Sequence, residues 1–282
     1  MSAVFLISIV VGCALQSVFK KTYSRKCDNK GVFFFSALTS LAAAAFFLAT
    51  SSGLDFQAAF LPHSLFFGVA YATATVCEVI AVTSGPLSLT TLVISYSLML
   101  PTLYGLVFLK EPISAGLIPG LVLLVISLFL IRSRGDSAPI TPKWVVSVLL
   151  AFVGNGFCSI AQKVEQVAFD GAYKNEFMIC ALLFVAAVLF LFSLGGERKD
   201  MGMLFKKGWY LAVLCGAFNG LVNLFVMLLF DRMPSSLMFP LISAGQIVFT
   251  SLAAWLLFRE KLSRSQLFGL IFGILAVIFL NI

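Results

Sequence analysis

The chain has 282 residues, of which 61% are hydrophobic and 11% charged, with a mean hydropathy of +1.06 and a formal net charge of +7. Soluble domains carry roughly 25% charged residues, so this composition excludes a water-soluble core with a polar surface. It also excludes a nucleic-acid-binding protein, because the basic residues are parcelled among short connections rather than gathered into one basic stretch.

Apolar runs of about 20 residues, each able to cross ~30 Å of hydrocarbon as a helix, recur along the whole chain. Ten are predicted, at about 2–19, 31–50, 64–84, 87–109, 115–131, 144–162, 175–195, 208–230, 235–258 and 265–281. The first has no Lys or Arg before it and is closed by Lys20 and Lys21, so it reads as a span rather than a signal peptide, despite the Val10-Val11-Gly12-Cys13 sequence. Cys13, Gln16 and Lys20 share one of its faces. The six cysteines are scattered without a C-x-x-C, which supports neither a disulfide framework nor a zinc site. No metal or other cofactor is expected. His63 falls in an LPHS connection and reads as solvated.

The third run carries Glu78, with no charge near it in sequence and the Gly85-Pro86 break six to eight residues beyond it. That spacing places it about 9–12 Å below the interface, where inserting a carboxylate costs at least ~2.5–3.5 kcal/mol. It therefore faces a cavity or a partner; Lys20 on the first run is the available partner, and proton coupling is the functional role. Tyr71, Thr75 and Glu78 recur at i, i+4 and i+7 and share its face. Tyr96 follows on the fourth run. Asn155, Ser159 and Gln162 line one face of the sixth run, and Ser243, Gln246 and Thr250 one face of the ninth.

The chain also repeats. LLFREKLSRSQLFG overlays VFLKEPISAGLIPG without a gap, pairing Leu103 with Leu252, Glu111 with Glu260, Ser114 with Ser263 and Gly120 with Gly269. Gly12, Ser17 and Lys21 overlay Gly154, Ser159 and Lys163 at a shorter separation. About seven extra residues are thus expected in the second half, in the connections around 163–175 and 196–208. The units are 1–135 and 136–282, each with five spans. An odd number makes the second half enter the membrane from the opposite side, so the fold class is all-α and polytopic, with ten transmembrane helices as two inverted five-helix repeats. In this register the face of Ala70, Ala74 and Glu78 corresponds to Asn219, Asn223 and Met227, and Ser97 overlays Gln246. Tyr71, Thr75, Tyr96, Asn155, Gln162, Asn219, Asn223, Ser243 and Gln246 are the candidate substrate contacts. For the Asn residues the competing role is interhelical hydrogen bonding, worth about 0.6 kcal/mol on average. Glu111 and Glu260 are expected to stabilise tight corners beside Lys110, Arg259 and Lys261. With no H-E-x-x-H, G-x-S-x-G or Walker A sequence, zinc proteolysis, serine hydrolysis and ATP drive have no basis, and the chain is not read as an enzyme.

The segment VFTSLAAWLLFREKLSRSQLFGLIFGILAVIFL resembles the last two helices of an EamA-like member of the drug/metabolite transporter superfamily, and YGLVFLKEPIS is similar to the same corner in the first half. The chain departs from that pattern at Val11, where the family often has Trp, and at Leu98 and Ile247, where it often has Pro; Pro101 and Pro240 stand elsewhere in those runs. The resemblance implies spans 1, 3, 4, 6, 8 and 9 around a central cavity, with spans 5 and 10 peripheral. It implies secondary transport of a small-molecule substrate across a lipid bilayer, in a bacterial inner membrane. With Glu78 as the proton carrier, the expected activity is efflux of a small amphipathic metabolite or drug. A lipid-carrier flippase or transporter subunit of the same superfamily is the alternative.

Odd-numbered connections hold fifteen of the nineteen basic residues, and even-numbered ones only Lys110, Lys163, Lys174 and Arg232. The positive-inside rule puts the odd connections in the cytoplasm and both termini outside, whereas the family more often has cytoplasmic termini. Membrane-impermeant thiol labelling of a single cysteine at Asn29 or Gly196, in a cysteine-free background, is expected to fail in intact cells. Ready labelling at both sites reverses the orientation.

Overall fold

Hydrocarbon offers no partner to a free backbone N–H or C=O, so each apolar run is driven to satisfy its own hydrogen bonds as a helix. The computed structural model describes residues 2–51, 53–85, 90, 93–131, 140–258 and 263–280. Ten α-helices lie among them: α1 (Ser2–Lys26), α2 (Val32–Thr50), α3 (Leu61–Ser84), α4 (Met99–Val107), α5 (Leu117–Ile131), α6 (Pro142–Phe169), α7 (Lys174–Gly196), α8 (Met201–Leu229), α9 (Ser235–Phe258) and α10 (Arg264–Leu280). α1, α2, α3, α6, α7 and α8 are long and apolar enough to span a membrane, and the other four are shorter apolar helices. Ile118, Phe129, Leu191, Leu256 and Phe268 are all more than half exposed on the outer surface. In water this surface would drive aggregation; against lipid it is matched to its solvent. Pro86 and Glu260 lie outside the described residues.

Several helices outrun their apolar stretches. α1 continues through Lys20 to Lys26, α6 through Lys163 to Phe169, and α8 begins at Met201 rather than near 208. The connections at 170–173 and 197–200 are short, so the extra residues of the second half lengthen its helices instead of its loops. Lys, Arg, Glu and Gln are good helix formers, so the backbone stays helical after hydropathy falls; the apolar run measures the hydrocarbon, not the helix. Before α4 the described residues 93–95 are helical and a 3-10 turn, Tyr96–Leu98, joins them to it; Pro101 has no N–H to return to the Ser97 carbonyl.

α1 packs on α8, and α3 on α6; α2 packs on α8, and α3 on α7; α1 packs on α9, and α6 on α4. α2 with α7, α4 with α9 and α5 with α10 complete these pairings. α9 also packs on α10 and on α5. Exchanging the first five helices for the last five returns all of these pairs except those two. The two overlaid glycines make equivalent contacts: a Cβ on Gly12 would meet Val222 and Phe218 of α8, and one on Gly154 would lie 2.8 Å from the Ala70 carbonyl oxygen and 3.1 Å from the Ala74 nitrogen of α3. α5 and α10 stand at the edge, tied by hydrogen bonds from Ser127 to the Gly269 carbonyl (2.6 Å) and from Ser265 to the Leu130 carbonyl (2.8 Å).

The helices alternate between two ends. One is rich in basic residues (Lys26, Lys30, Lys143, Arg198, Lys199) and the other holds both termini; they are called here the basic and terminal sides. The core is lopsided between them. Its largest cluster joins Ile9, Phe47, Phe60, Phe67, Phe177, Met178, Met227, Leu229, Met238 and Phe239, all in the terminal halves of their helices. Towards the basic side the core divides. Tyr23, Phe34, Phe35, Leu204 and Leu211 knit α1, α2 and α8, Ala81, Trp144 and Val148 knit α3 and α6, and Ala37, Val185 and Leu189 of α2 and α7 pack with Tyr71 and Val76 of α3. The large apolar core thus closes the terminal side, and the division of the basic side leaves room for a cleft between α1–α8 and α3–α6. At Gly154 the neighbour is backbone, which cannot turn aside. Gly154→Leu is expected to remove most of the monodisperse protein on size exclusion in detergent, whereas Gly195→Ala, with open space around it, leaves the yield unchanged.

Candidate functional site in the cleft

Lys20 of α1 and Glu78 of α3 both have exposed side chains. Lys20 interacts electrostatically with Glu78, Tyr71, Cys13 and Cys215. Two exposed charges on facing helices that act on one another border a common, water-reached space. Six residues of helix separate Lys20 from the end of α1, and six separate Glu78 from the end of α3, which places each about 9 Å inside the basic side. Neither is in a salt bridge with a described residue. The structure thus brings Lys20 to the same space as Glu78 without pairing them, and Glu78 lines the cleft rather than being buried in the span. Tyr71 borders the same space, its ring stacked on Phe67 with centroids 5.8 Å apart.

Below them an amide chain crosses the floor of the cleft. Asn219 donates to the Gln16 side-chain oxygen (3.1 Å), Asn223 donates to the Asn219 side-chain oxygen (3.1 Å) and carbonyl (2.8 Å), and Gln162 donates to the Asn223 side-chain oxygen (2.7 Å). α1 and α8 of one bundle are thereby joined to α6 of the other. Interhelical side-chain hydrogen bonds average only about 0.6 kcal/mol, so such a chain can be exchanged for bonds to a solute at little cost. Gln16 belongs to this chain; its shared face with Lys20 was the only sequence signal for it.

The other candidates are more dispersed. Thr75 donates to the Tyr71 carbonyl (3.0 Å), a bond within its own helix. Asn155 donates to Ser97 (2.8 Å) and so tethers α6 to the broken start of α4; a Cβ on the neighbouring Gly156 would lie 2.9 Å from the Ser97 carbonyl. Tyr96 turns the other way, donating to the Val125 carbonyl (3.3 Å) and packing among Leu124, Leu128 and Ala244 between α5 and α9. Ser243 is buried on α9 and lines a small gap together with Leu98 and Thr102, and Gln246 is half-buried on the same helix.

The terminal side is closed by charge as well as by packing. The corner carboxylate of Glu111 does not pair with its neighbour Lys110. Its two oxygens accept from the Ser235 and Ser236 backbone N–H groups (3.0 and 2.7 Å), capping the first turn of α9. Lys163 approaches it at 3.8 Å, with both side chains no more than a tenth exposed. The Lys163 ammonium also donates to the Phe230 carbonyl (3.5 Å) and lies 5.0 Å from the centre of that ring. Glu197 plays the same part on the basic side, accepting from the Phe33 and Phe34 N–H groups at the start of α2 (3.1 and 2.8 Å). A first-half carboxylate thus caps a second-half helix, and a second-half carboxylate caps a first-half one.

A helical bundle in two interleaved halves, with an ionisable cleft open at one end, defines a membrane-transport class of architecture. The profile of the EamA-like transporter family matches residues 142–282, and the chain belongs to that family, within the drug/metabolite transporter superfamily. Twenty-eight solved chains match the structure. One, a crystal structure of another protein, superposes with a TM-score of 0.79 at 14% identity, over 99% of this chain and 95% of that one; at that identity the likeness speaks for the fold alone. No curated protein sequence matches.

Removing one partner of a buried ion pair costs about 3–5 kcal/mol, because the other charge is left alone, and losing a cap adds about 1 kcal/mol. Glu111→Ala is therefore expected to lower the thermal midpoint in detergent sharply. Adding Lys163→Met should restore most of the loss. A double mutant no more stable than Glu111→Ala would show that the pair is not the source of the effect.

Proposed function

We propose that this protein is a proton-coupled secondary transporter built from two inverted repeats, residues 1–135 and 136–282, which exports a small amphipathic metabolite or drug across a bacterial inner membrane. The observation that carries this reading is the pair of opposite charges, Lys20 and Glu78, unpaired and facing one cleft that is open at the basic side and sealed at the terminal side. The exchange-symmetric helix pairing supports the inverted repeat. Two halves related in this way make a second packing with the opposite side open, at nearly equal energy, by rocking about the shared centre. With the basic side in the cytoplasm, the present packing is the inward-open one.

In this mechanism Glu78 is the proton carrier. Its carboxyl is reached from the cytoplasm in the present packing and from the opposite side in the alternative one. Tyr71, Asn219, Asn223 and Gln162 line the path from the charged pair to the floor, offering an aromatic face and amides that are only weakly committed to one another. Asn155, Ser243 and Gln246 position the broken α4 and its counterpart α9 around that space. Thr75 and Tyr96, bonded to backbone carbonyls, contribute shape.

The test is flux into liposomes containing purified protein, driven by a pH gradient, with amino-acid, nucleoside and cationic-dye substrates. Glu78→Gln mimics the protonated form and is expected to fold normally. Its net proton-driven flux should fall to background, while exchange of substrate between pools at equal pH persists. Glu78→Asp should shift the pH optimum. Uphill transport by Glu78→Gln at the wild-type rate removes Glu78 from the coupling role.

A further inference from the structure

Three residues beyond Gln162, on the part of α6 sealed into the terminal side, stands a carboxyl group for which the cleft has no use. Glu165 has no exposed surface, and neither of its oxygens has a hydrogen-bond donor among the described residues. Its surroundings hold charges, but these are engaged elsewhere. Lys174 and Glu176 of α7 are the charged groups that act on it. The Lys174 ammonium donates to the Gly171 carbonyl (3.2 Å), and Glu176 accepts from the Asp55 N–H (2.9 Å). On α6 itself Lys163 is turned about 200° away by the helical repeat and is held by Glu111. Gln166 reaches towards Asp231, at 3.4 and 3.5 Å, in the α8–α9 connection, where Arg232 stands over the Phe5 ring. From α3 comes His63. It is not the solvated loop residue that the sequence suggests: it sits in the first helical turn, edge-on to Phe169 at 5.3 Å, with Nδ1 buried and unpartnered.

A carboxylate anion without donors in a dry interior is the most costly form that such a group can take. The neutral acid is the form that this packing admits. We propose that Glu165 is a second protonatable group of the transport cycle: its carboxyl takes up a proton for the terminal side to close and releases it to water when that side opens. This rests on the alternating-access reading above, but at a site separate from Glu78 and at the other end of the membrane.

The direction follows from linkage. The closed packing binds one proton more than the open one, so its share is greatest at low pH and is lost as pH rises, by up to about tenfold per pH unit. The proton is exchanged with the terminal compartment only, because in the packing open to the basic side Glu165 is sealed. It therefore sets how readily the terminal side opens and adds nothing to the number of protons carried across.

The experiment places spin labels at Val4→Cys on α1 and Val167→Cys on α6, both exposed near the terminal ends of opposing bundles, in a cysteine-free full-length protein in lipid nanodiscs. Pulsed electron paramagnetic resonance then measures their separation between pH 5 and 9 without substrate. In the parent protein the short-distance population should dominate at acid pH and give way to a longer one as pH rises. Glu165→Gln should hold the short distance throughout, and Glu165→Asp should retain the transition with a displaced midpoint. A parent protein that does not respond to pH overturns the proposal, as does a Glu165→Gln variant that titrates like the parent. If Glu165→Gln folds poorly, Glu165→Leu takes its place; failure of both neutral side chains to fold means that the anion is required, which also overturns it. Glu78→Gln separates the two readings. Wild-type uphill flux with that variant defeats the coupling role of Glu78, while a distance change that still depends on Glu165 leaves the present inference standing.

Discussion

The constraint behind this structure is that a charge or an unpaired polar group has no stable place in hydrocarbon unless water or a partner reaches it. Each ionisable side chain inside the helical bundle can be sorted by how it meets that demand. Lys20 and Glu78 meet it by lining a cleft. Lys163 and Glu111 meet it by pairing and by capping a helix end. Glu165 meets it through neither route, and the proposal made for it rests on that.

The core is lopsided, and the proposed alternating cycle accounts for it: a bundle that opens on either side cannot be packed equally well on both at once. Here the large side chains are gathered on the terminal half, from Ile9 and Phe47 to Met238 and Phe239. On the basic half each bundle keeps a small core of its own. The glycines at positions 12 and 154 let the paired helices within a bundle approach closely.

Much of this was legible in the residues. The ten apolar runs fall on ten helices among the described residues, six of them long and apolar enough to cross a membrane, because hydrocarbon forces the backbone into helix. Gly12 and Gly154, overlaid by the repeat, make matching contacts, and Asn219, Asn223 and Gln162 do meet. Helix ends are less legible: Lys20 and Lys163 stop an apolar run but not a helix, so hydropathy places Glu165 in a connection while the structure places it in α6. The partners of Glu111 were hidden because they lie about 50 and 125 residues away in sequence, and no local pattern announces a capping group that comes from the other half. Tyr96 stands in the 3-10 turn before α4, where its hydroxyl donates to the Val125 carbonyl of α5, a partner that no local pattern announces.

The cap that Glu111 makes on α9 also has a mechanical meaning. Its carboxylate grips the first two N–H groups of α9 while its own backbone N–H bonds back to the Gly105 carbonyl of α4 (3.1 Å). The end of a first-half helix and the start of a second-half helix are thus fastened at one point. In the proposed cycle this corner is the pivot, where a small tilt near the terminal surface becomes a wider sweep at the opposite ends of the two helices.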